Sequence, residues 1–347
     1  MSGAAAQAYG LRQRRLAGRV AGGGIALAVL LLGDLLVGPA FLHPADVLAT
    51  LFGGGNAADP ALHAIVWSIR LPMSLMAVVV GMALGLAGAL MQTILGNPLA
   101  SPYTLGLSAA AGFGASVTIL TGFSLPVLPQ LTVPLAAFVA AAGASLSVAA
   151  LARLRGVTPE VMVLAGIAIL FLFQSLQSLS QYLAAPEVLQ QIVFWLFGSM
   201  LKASWTGIWI AASLCVVAVL PLLGDLWKLT AMRLGDDRLA SLGVDPARLR
   251  VKVFLSVSLL TTAAVAFVGT IGFVGLVAPH IARWATGEDH RLLLPMSALS
   301  GAGLLVAASI LSKLIAPGAV VPIGIVTAIV GVPFLFGLIL KSRSRFW

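Results

Sequence analysis

Gln174, Gln177, Ser178 and Gln181 lie within "FLFQSLQSLSQYL" at i, i+3, i+4 and i+7, so a helix gathers them on one face about 100° wide. Unpaired amides are expensive in hydrocarbon, and such a face must therefore meet other protein or a water-filled cavity. Two readings follow. The amides could hydrogen-bond neighbouring helices together, or they could form one wall of a path for a bulky polar solute. A proton relay would want acids, and this stripe has none.

Residues for making and breaking bonds are harder to find. None of the five lysines follows a glycine, so there is no GxxxxGK[ST] phosphate-binding loop, and any ATP chemistry must belong to a partner. HExxH, CxxC and the serine nucleophile elbow are also missing. His43, His63, His280 and His290 sit in different segments, which predicts no metal site and no cofactor. Cys215 is the single cysteine, lies in an apolar run and reads as a buried thiol.

The elements that must position the amide stripe follow from composition. Of 347 residues, 60% are hydrophobic and 9% charged, against about 25% charged in a soluble domain. Apolar runs long enough to cross a bilayer recur from Val20 to Leu340. They predict an all-α polytopic membrane protein with spans near 20–40, 71–95, 104–122, 131–152, 160–183, 204–223, 251–270, 273–287, 292–313 and 320–340. With the N-terminus inside, seventeen of the twenty Lys and Arg fall on cytoplasmic segments, and only Arg70, Lys202 and Lys313 do not. That asymmetry supports ten spans and two cytoplasmic termini independently of hydropathy, and it accounts for the net charge of +9 without a nucleic-acid partner. The expected organisation is a basic tail at 1–19, a ten-helix transmembrane domain at 20–340 with an inside loop at 224–250, and a C-terminal tail at 341–347.

Punctuation adds detail. Pro44 starts a short interfacial helix on the outer side, followed by a Gly-rich loop. Asp34, near the outer end of the first span, is expected to reach headgroup water. In the inside loop, Asp236 is expected to cap a short helix that Gly243 ends in a left-handed turn, while Asp245 and Pro246 start the next. This helix, glycine, helix unit suits either docking of a soluble partner or a solvated connector. Gly88 and Pro98 echo the spacing of Gly269 and Pro279, as two inverted halves of five spans would.

Six ordered blocks carry a family resemblance: "IRLP" at 69–72, "MQTILGNPLASPYTLGLSAAAGFGA" at 91–115, "FWLFGSM" at 194–200, "RLGDDRLASLGV" at 233–244, "GFVGLVAPHIARWATGEDHRLLLP" at 272–295 and "PIGIVTAIVGVPFLFGLIL" at 322–340. The chain resembles the FecCD-type permeases of bacterial ABC importers for ferric siderophores, haem and cobalamin. The resemblance implies a multi-pass permease of the bacterial inner (plasma) membrane, not an enzyme. A second permease copy, a homodimer or a pair of similar chains, would place the path on the dimer axis. Two cytoplasmic ATP-binding subunits and a periplasmic substrate-binding protein complete the assembly.

The resemblance also implies residue roles. Gln174, Gln177, Ser178 and Gln181 would line the path. Asp236, Arg238, Ser241, Leu242 and Gly243 would couple to the ATPases, and Arg70 and Lys313 would dock the binding protein. Asn97, Pro98, Pro279 and His280 would be structural members of the family motifs. The chain departs from the usual pattern at Met73 (arginine), Ser309 (aspartate) and Val320 (glutamate), which puts the standard docking charges in doubt. The alternative is an ion-driven secondary transporter with inverted repeats, which wants buried acids or paired charges in mid-membrane. An intramembrane enzyme would want a nucleophile with its base, and none is found.

Overall fold

The computed structural model describes residues 3–38, 42–52, 60–315 and 318–341. The Gly-rich segment at 53–59 and the tail beyond Lys341 lie outside them. Among the described residues the chain is helical, with no strand. In order the helices are α1 (Gly3–Leu36), α2 (Pro44–Phe52), α3 (Pro60–Ala64), α4 (Leu71–Ile94), α5 (Leu107–Thr121), α6 (Thr132–Arg155), α7 (Pro159–Tyr182), α8 (Pro186–Leu196), α9 (Trp205–Val219), α10 (Leu226–Ala231), α11 (Asp236–Ser241), α12 (Pro246–Val268), α13 (Val274–Thr286), α14 (His290–Leu314) and α15 (Ile323–Lys341). A π-helical stretch, Ile65–Arg70, joins α3 to α4 just before Pro72, which lacks the N–H a regular turn would use.

Each of the ten expected spans coincides with a helix. Seven described segments are long and apolar enough to cross a membrane: Leu16–Leu36, Pro60–Ile94, Pro129–Arg155, Pro159–Tyr182, Trp205–Leu234, Pro246–Val268 and His290–Leu314. The other three fall short. α5 has 15 residues and α13 has 13, or about 22 and 20 Å at 1.5 Å per residue, against a hydrocarbon core of about 30 Å. The apolar part of α15 is likewise brief, Ile323–Gly337. Residues 3–19, expected as a tail, are helical and continuous with the first span, and Arg19 donates to Ala285 O at 2.6 Å. α8 was not anticipated.

α4 is the central element, packing on α12, α13 and α14. Hydrocarbon gives little drive for helices to associate, so close backbone packing must supply it. α4 answers with Gly81, Gly85 and Gly88. A methyl added at Gly81 would stand 2.5 Å from Gly301 O of α14, and one at Gly88 would collide with Gly275 O of α13. The second contact has a local cause. Pro279 lies inside α13 and has no N–H for the carbonyl four residues back, so Gly275 O turns to the Cα of Gly88 instead.

The Gly88/Pro98 and Gly269/Pro279 echo does not correspond residue by residue. Gly88 lies in mid-helix and Gly269 ends α12 at φ 78°, while Pro98 is in a turn and Pro279 inside a helix. What recurs is a long helix entering a short one through irregular backbone: α4 to α5 through 95–106, and α12 to α13 through 269–273.

Candidate functional site

α7 starts where the sequence punctuates it. Thr158 accepts from Val161 N at its N-terminus and Pro159 occupies the first turn. Gln174 and Ser178 are exposed, and Gln177 and Gln181 are half-buried. Gln177 lies over Gly112 of α5, where a Cβ would sit 2.5 Å from its Oε1. Among the described residues, no hydrogen bond within the chain takes up the amides of Gln174, Gln177 or Gln181. The helix-tying reading is therefore not realised inside one chain. The stripe is partly exposed, at Gln174 and Ser178, and Gln190 and Gln191 of α8 are exposed as well.

The 95–106 break reaches this helix. Gly106 abuts Leu170 N at the middle of α7, and Leu105 packs on Gly166. The breaks open a cleft of about 510 Å³ whose lining includes Ser101, Tyr103, Phe197, Thr270, Phe273 and Ile325. Backbone bonds hold its rim: Ser199 N to Val268 O at 2.7 Å, and Ile323 N to Gly198 O and Gly324 N to Phe197 O, both at 3.0 Å. The Thr270 hydroxyl donates to Leu196 O. Phe273 has φ 67°, left-handed backbone that a bulky residue adopts only where its surroundings compel it. Backbone away from regular helix at membrane depth is tolerated only where it is buried or lines a cavity. Sequence reasoning placed neither the cleft nor α8, although Pro186 followed by Glu187 is a helix-start signal.

The 224–250 loop lies against the last turn of α4, where that helix gives way to the 95–106 break. Gly243 has φ 80°, the left-handed turn expected, and Asp245 caps α12 by accepting from Ala247 N and Arg248 N at 2.9 and 3.1 Å. Asp236 corrects its expectation. Gly235 holds the cap position of α11, and the Asp236 carboxylate instead takes a two-pronged bond from Arg250, Nη2 at 2.6 Å and Nη1 at 2.8 Å. Arg238, Ser241 and Leu242 are exposed, while Leu239 is fully buried and anchors the short helix.

Asp225 receives Lys228 Nζ and Lys252 Nζ, each at 2.6 Å, and these bonds hold its carboxyl below the ordinary value. His290 bridges Thr93 of α4 at 2.8 Å and Thr230 of α10 at 3.2 Å. Arg283 donates to Gln92 Oε1.

Asn97 Oδ1 accepts from Leu99 N at 2.8 Å, turning the chain before Pro98. His280 Nδ1 meets Leu276 O at 2.8 Å; a carbonyl only accepts, so Nδ1 carries the proton. Its Nε2 is buried without a hydrogen-bond partner among the described residues. Among the described residues, no group of three or more His, Cys, Asp or Glu could hold a metal ion.

Arg70, Lys313 and Asp34 are corrections. Lys313 Nζ bonds Asp34 Oδ1 at 2.8 Å and Asp34 O at 2.9 Å, with both side chains sealed from solvent, and Ser74 donates to Asp34 Oδ2. Arg70 is buried and donates to Leu35 O and Leu36 O. The expected docking cations turn inward to hold α1, and the expected headgroup acid is the partner of Lys313.

Comparison with known proteins agrees with this architecture. The FecCD transport family matches residues 26–341, and the chain belongs to that family. It is 35% identical over 322 residues to the hemin transport system permease protein HmuU of Yersinia pestis, covering 92% of this chain and 95% of that protein. It is 36% identical over 325 residues to the vitamin B12 import system permease protein BtuC of Vibrio vulnificus, covering 92% and 94%. A solved structure described as an inward-facing metal-chelate type ABC transporter superposes with a TM-score of 0.82 at 29% identity, over 93% of this chain and 98% of that one. The chain is thus a membrane permease subunit of the ABC-transporter type.

Proposed function

We propose that this permease forms half of an ATP-driven import path for a ferric siderophore, haem or cobalamin-like solute in a bacterial inner membrane. The chain crosses the bilayer ten times in two inverted halves of five, with both termini in the cytoplasm. Two copies face each other across the path, two ATP-binding subunits seat below on α11 and its flanking turn, and a binding protein docks above.

The observation that carries the reading is the partly exposed amide face of α7. Uncharged amides without partners in their own chain need water or another chain beside them, and Gln174, Gln177, Ser178 and Gln181 are weakly polar enough to let a bulky solute slip past. The relatives' names supply the solute class. Arg238, Ser241, Leu242 and Gly243 present the exposed surface that an ATP-binding subunit would grip, and Asp236 fixes it from beneath. Trp67 and Trp205, stacked with centroids 6.5 Å apart at the end away from that loop, suit an outer membrane interface. Burial of Arg70 and Lys313 moves docking of the binding protein to other outer residues.

The ion-driven alternative gains one observation, the buried Asp34–Lys313 pair. Reconstitution separates the two. Vesicles holding the permease, its ATP-binding subunits and its binding protein should accumulate hemin, cobalamin or a ferric siderophore only with ATP. The permease alone should accumulate none of them under a proton or sodium gradient. Accumulation by the permease alone would end the ATP-driven reading.

A further inference from the structure

Three successive residues in the last turn of α4 are each held by a different helix. Arg283 of α13 donates to the Gln92 amide, His290 of α14 meets Thr93, and Arg250 of α12 donates from Nε to Ile94 O at 3.2 Å. Arg250 does more than close this set. Its Nη1 also reaches Val157 O at 3.3 Å, beside the cap of α7, while its two terminal nitrogens clasp Asp236 of α11. One guanidinium, its side chain 7% exposed, thus joins the surface helix α11 to the feet of both α4 and the amide-bearing α7.

The same connection continues upward. α4 feeds the 95–106 break, whose Ser101 and Tyr103 line the cleft, and whose Leu105 and Gly106 press on the middle of α7. α11 therefore acts on α7 at two heights through one residue. Only a planar fork of five donors can hold a carboxylate with two prongs and reach two carbonyls at once; a lysine ammonium cannot span that set.

We propose that Arg250 is the positioning residue that transmits displacement of α11 to the path helix α7, so that a push from an ATP-binding subunit reaches the amide face through a guanidinium rather than through loop backbone. The inference rests on the reading of α11 as the seat of those subunits, and it adds the part that carries the force.

The test uses the complete complex with its ATP-binding subunits in lipid nanodiscs. The background is Cys215→Ser, with Ser178→Cys as a reporter on the amide face, labelled by a maleimide with and without ATP and vanadate. In the parent, nucleotide should change the labelling rate several-fold. Arg250→Gln should abolish that change while ATP hydrolysis continues, Arg250→Lys should restore it only in part, and Asp236→Asn should weaken it.

A full nucleotide response in Arg250→Gln overturns the proposal. If that variant fails to assemble, Asp236→Asn decides, because it leaves both carbonyl bonds in place: an undiminished response there is equally fatal. Hydrolysis and response collapsing together in both variants would make Arg250 a structural bolt and sink the proposal as well. A parent that shows no nucleotide response would instead overturn the seating of ATP-binding subunits, a failure separate from that of Arg250.

Discussion

At one end of the bundle Lys313 meets Asp34 with side chains 2% and 0% exposed, while at the other Arg250, 7% exposed, meets an Asp236 that is 47% exposed. The distances, 2.8 and 2.6 Å, are alike; access to water is not. Removing two ions from water costs several kcal/mol each, which a pair recovers only with further bonds. The outer pair has them, from Ser74 to the carboxylate and from Lys313 to Asp34 O. Such a cluster cannot exchange partners without opening the packing between α1, α4 and α14. It is a staple. The half-exposed Asp236 carboxylate can change its water contacts at little cost, so its helix can shift with the two-pronged bond intact and carry Arg250 with it. Buried charge in this permease thus does two jobs, and exposure of the acid separates them.

The largest effect that sharpens this contrast is expected at the staple. Asp34→Ala strands the Lys313 ammonium, and breaking a buried pair in this way costs about 3–5 kcal/mol. The variant should yield little folded protein and a markedly lower Tm in detergent. Replacing both partners by apolar residues, Asp34→Leu with Lys313→Met, should restore most of the loss, because the desolvation cost disappears with the charges. If the double variant is as unstable as the single one, the pair does more than hold α1.

At the open end the expected effect is functional rather than structural. Gly243 adopts φ 80°, and a Cβ built there meets nothing within 4 Å, so Gly243→Val introduces backbone strain without a clash. Left-handed backbone costs an L-residue roughly 1–2 kcal/mol, equivalent to about a tenfold bias against the native turn. Solute moved per ATP hydrolysed should fall by about that factor while membrane insertion and Tm stay near the parent. Unchanged coupling in reconstituted vesicles would show that the turn after α11 is a plain connector.

The contrast also explains what the sequence disclosed. Apart from the start of α1, the positions of the spanning helices were legible to within a few residues because their signals are local: apolar runs, Pro159 after Thr158, Pro246 after Asp245, and a glycine in most of the left-handed turns. α8 escaped because eleven residues containing Gln190 and Gln191 are too short and too polar for a span. The cleft escaped because Gly96, Asn97, Pro98, Ser101 and Pro102 announce a break but not its depth; only its contact with Leu170 of α7 places it inside. Asp34 and Lys313 stand 279 residues apart, and hydropathy sees in each just a charge near the end of an apolar run. Asp236 misled for the converse reason. "GDD" is a sound local capping signal, overridden by a guanidinium fourteen residues on that offers two bonds in place of one.

The smallest expected effect lies at Asp225, which grips Lys228 and Lys252 at the head of the loop. Its carboxyl is held below 3.8, its ordinary value, by those two partners. A depressed carboxyl pKa contributes stability that is fully present above the unfolded value and is lost as pH falls through the folded one. The clasp should therefore persist across neutral and mildly acidic pH, weakening only below about 3.8. Asp225→Asn produces the uncharged state at pH 7, where trypsin can report on it. Without the anion two ammonium groups face each other, so cleavage after Lys228 and Lys252 should quicken a few-fold, while Tm, set by the buried bundle, barely moves. A large fall in Tm would mean that the 224–250 loop is welded to the spans like the outer staple, and the distinction between a sealed and a movable end would not hold.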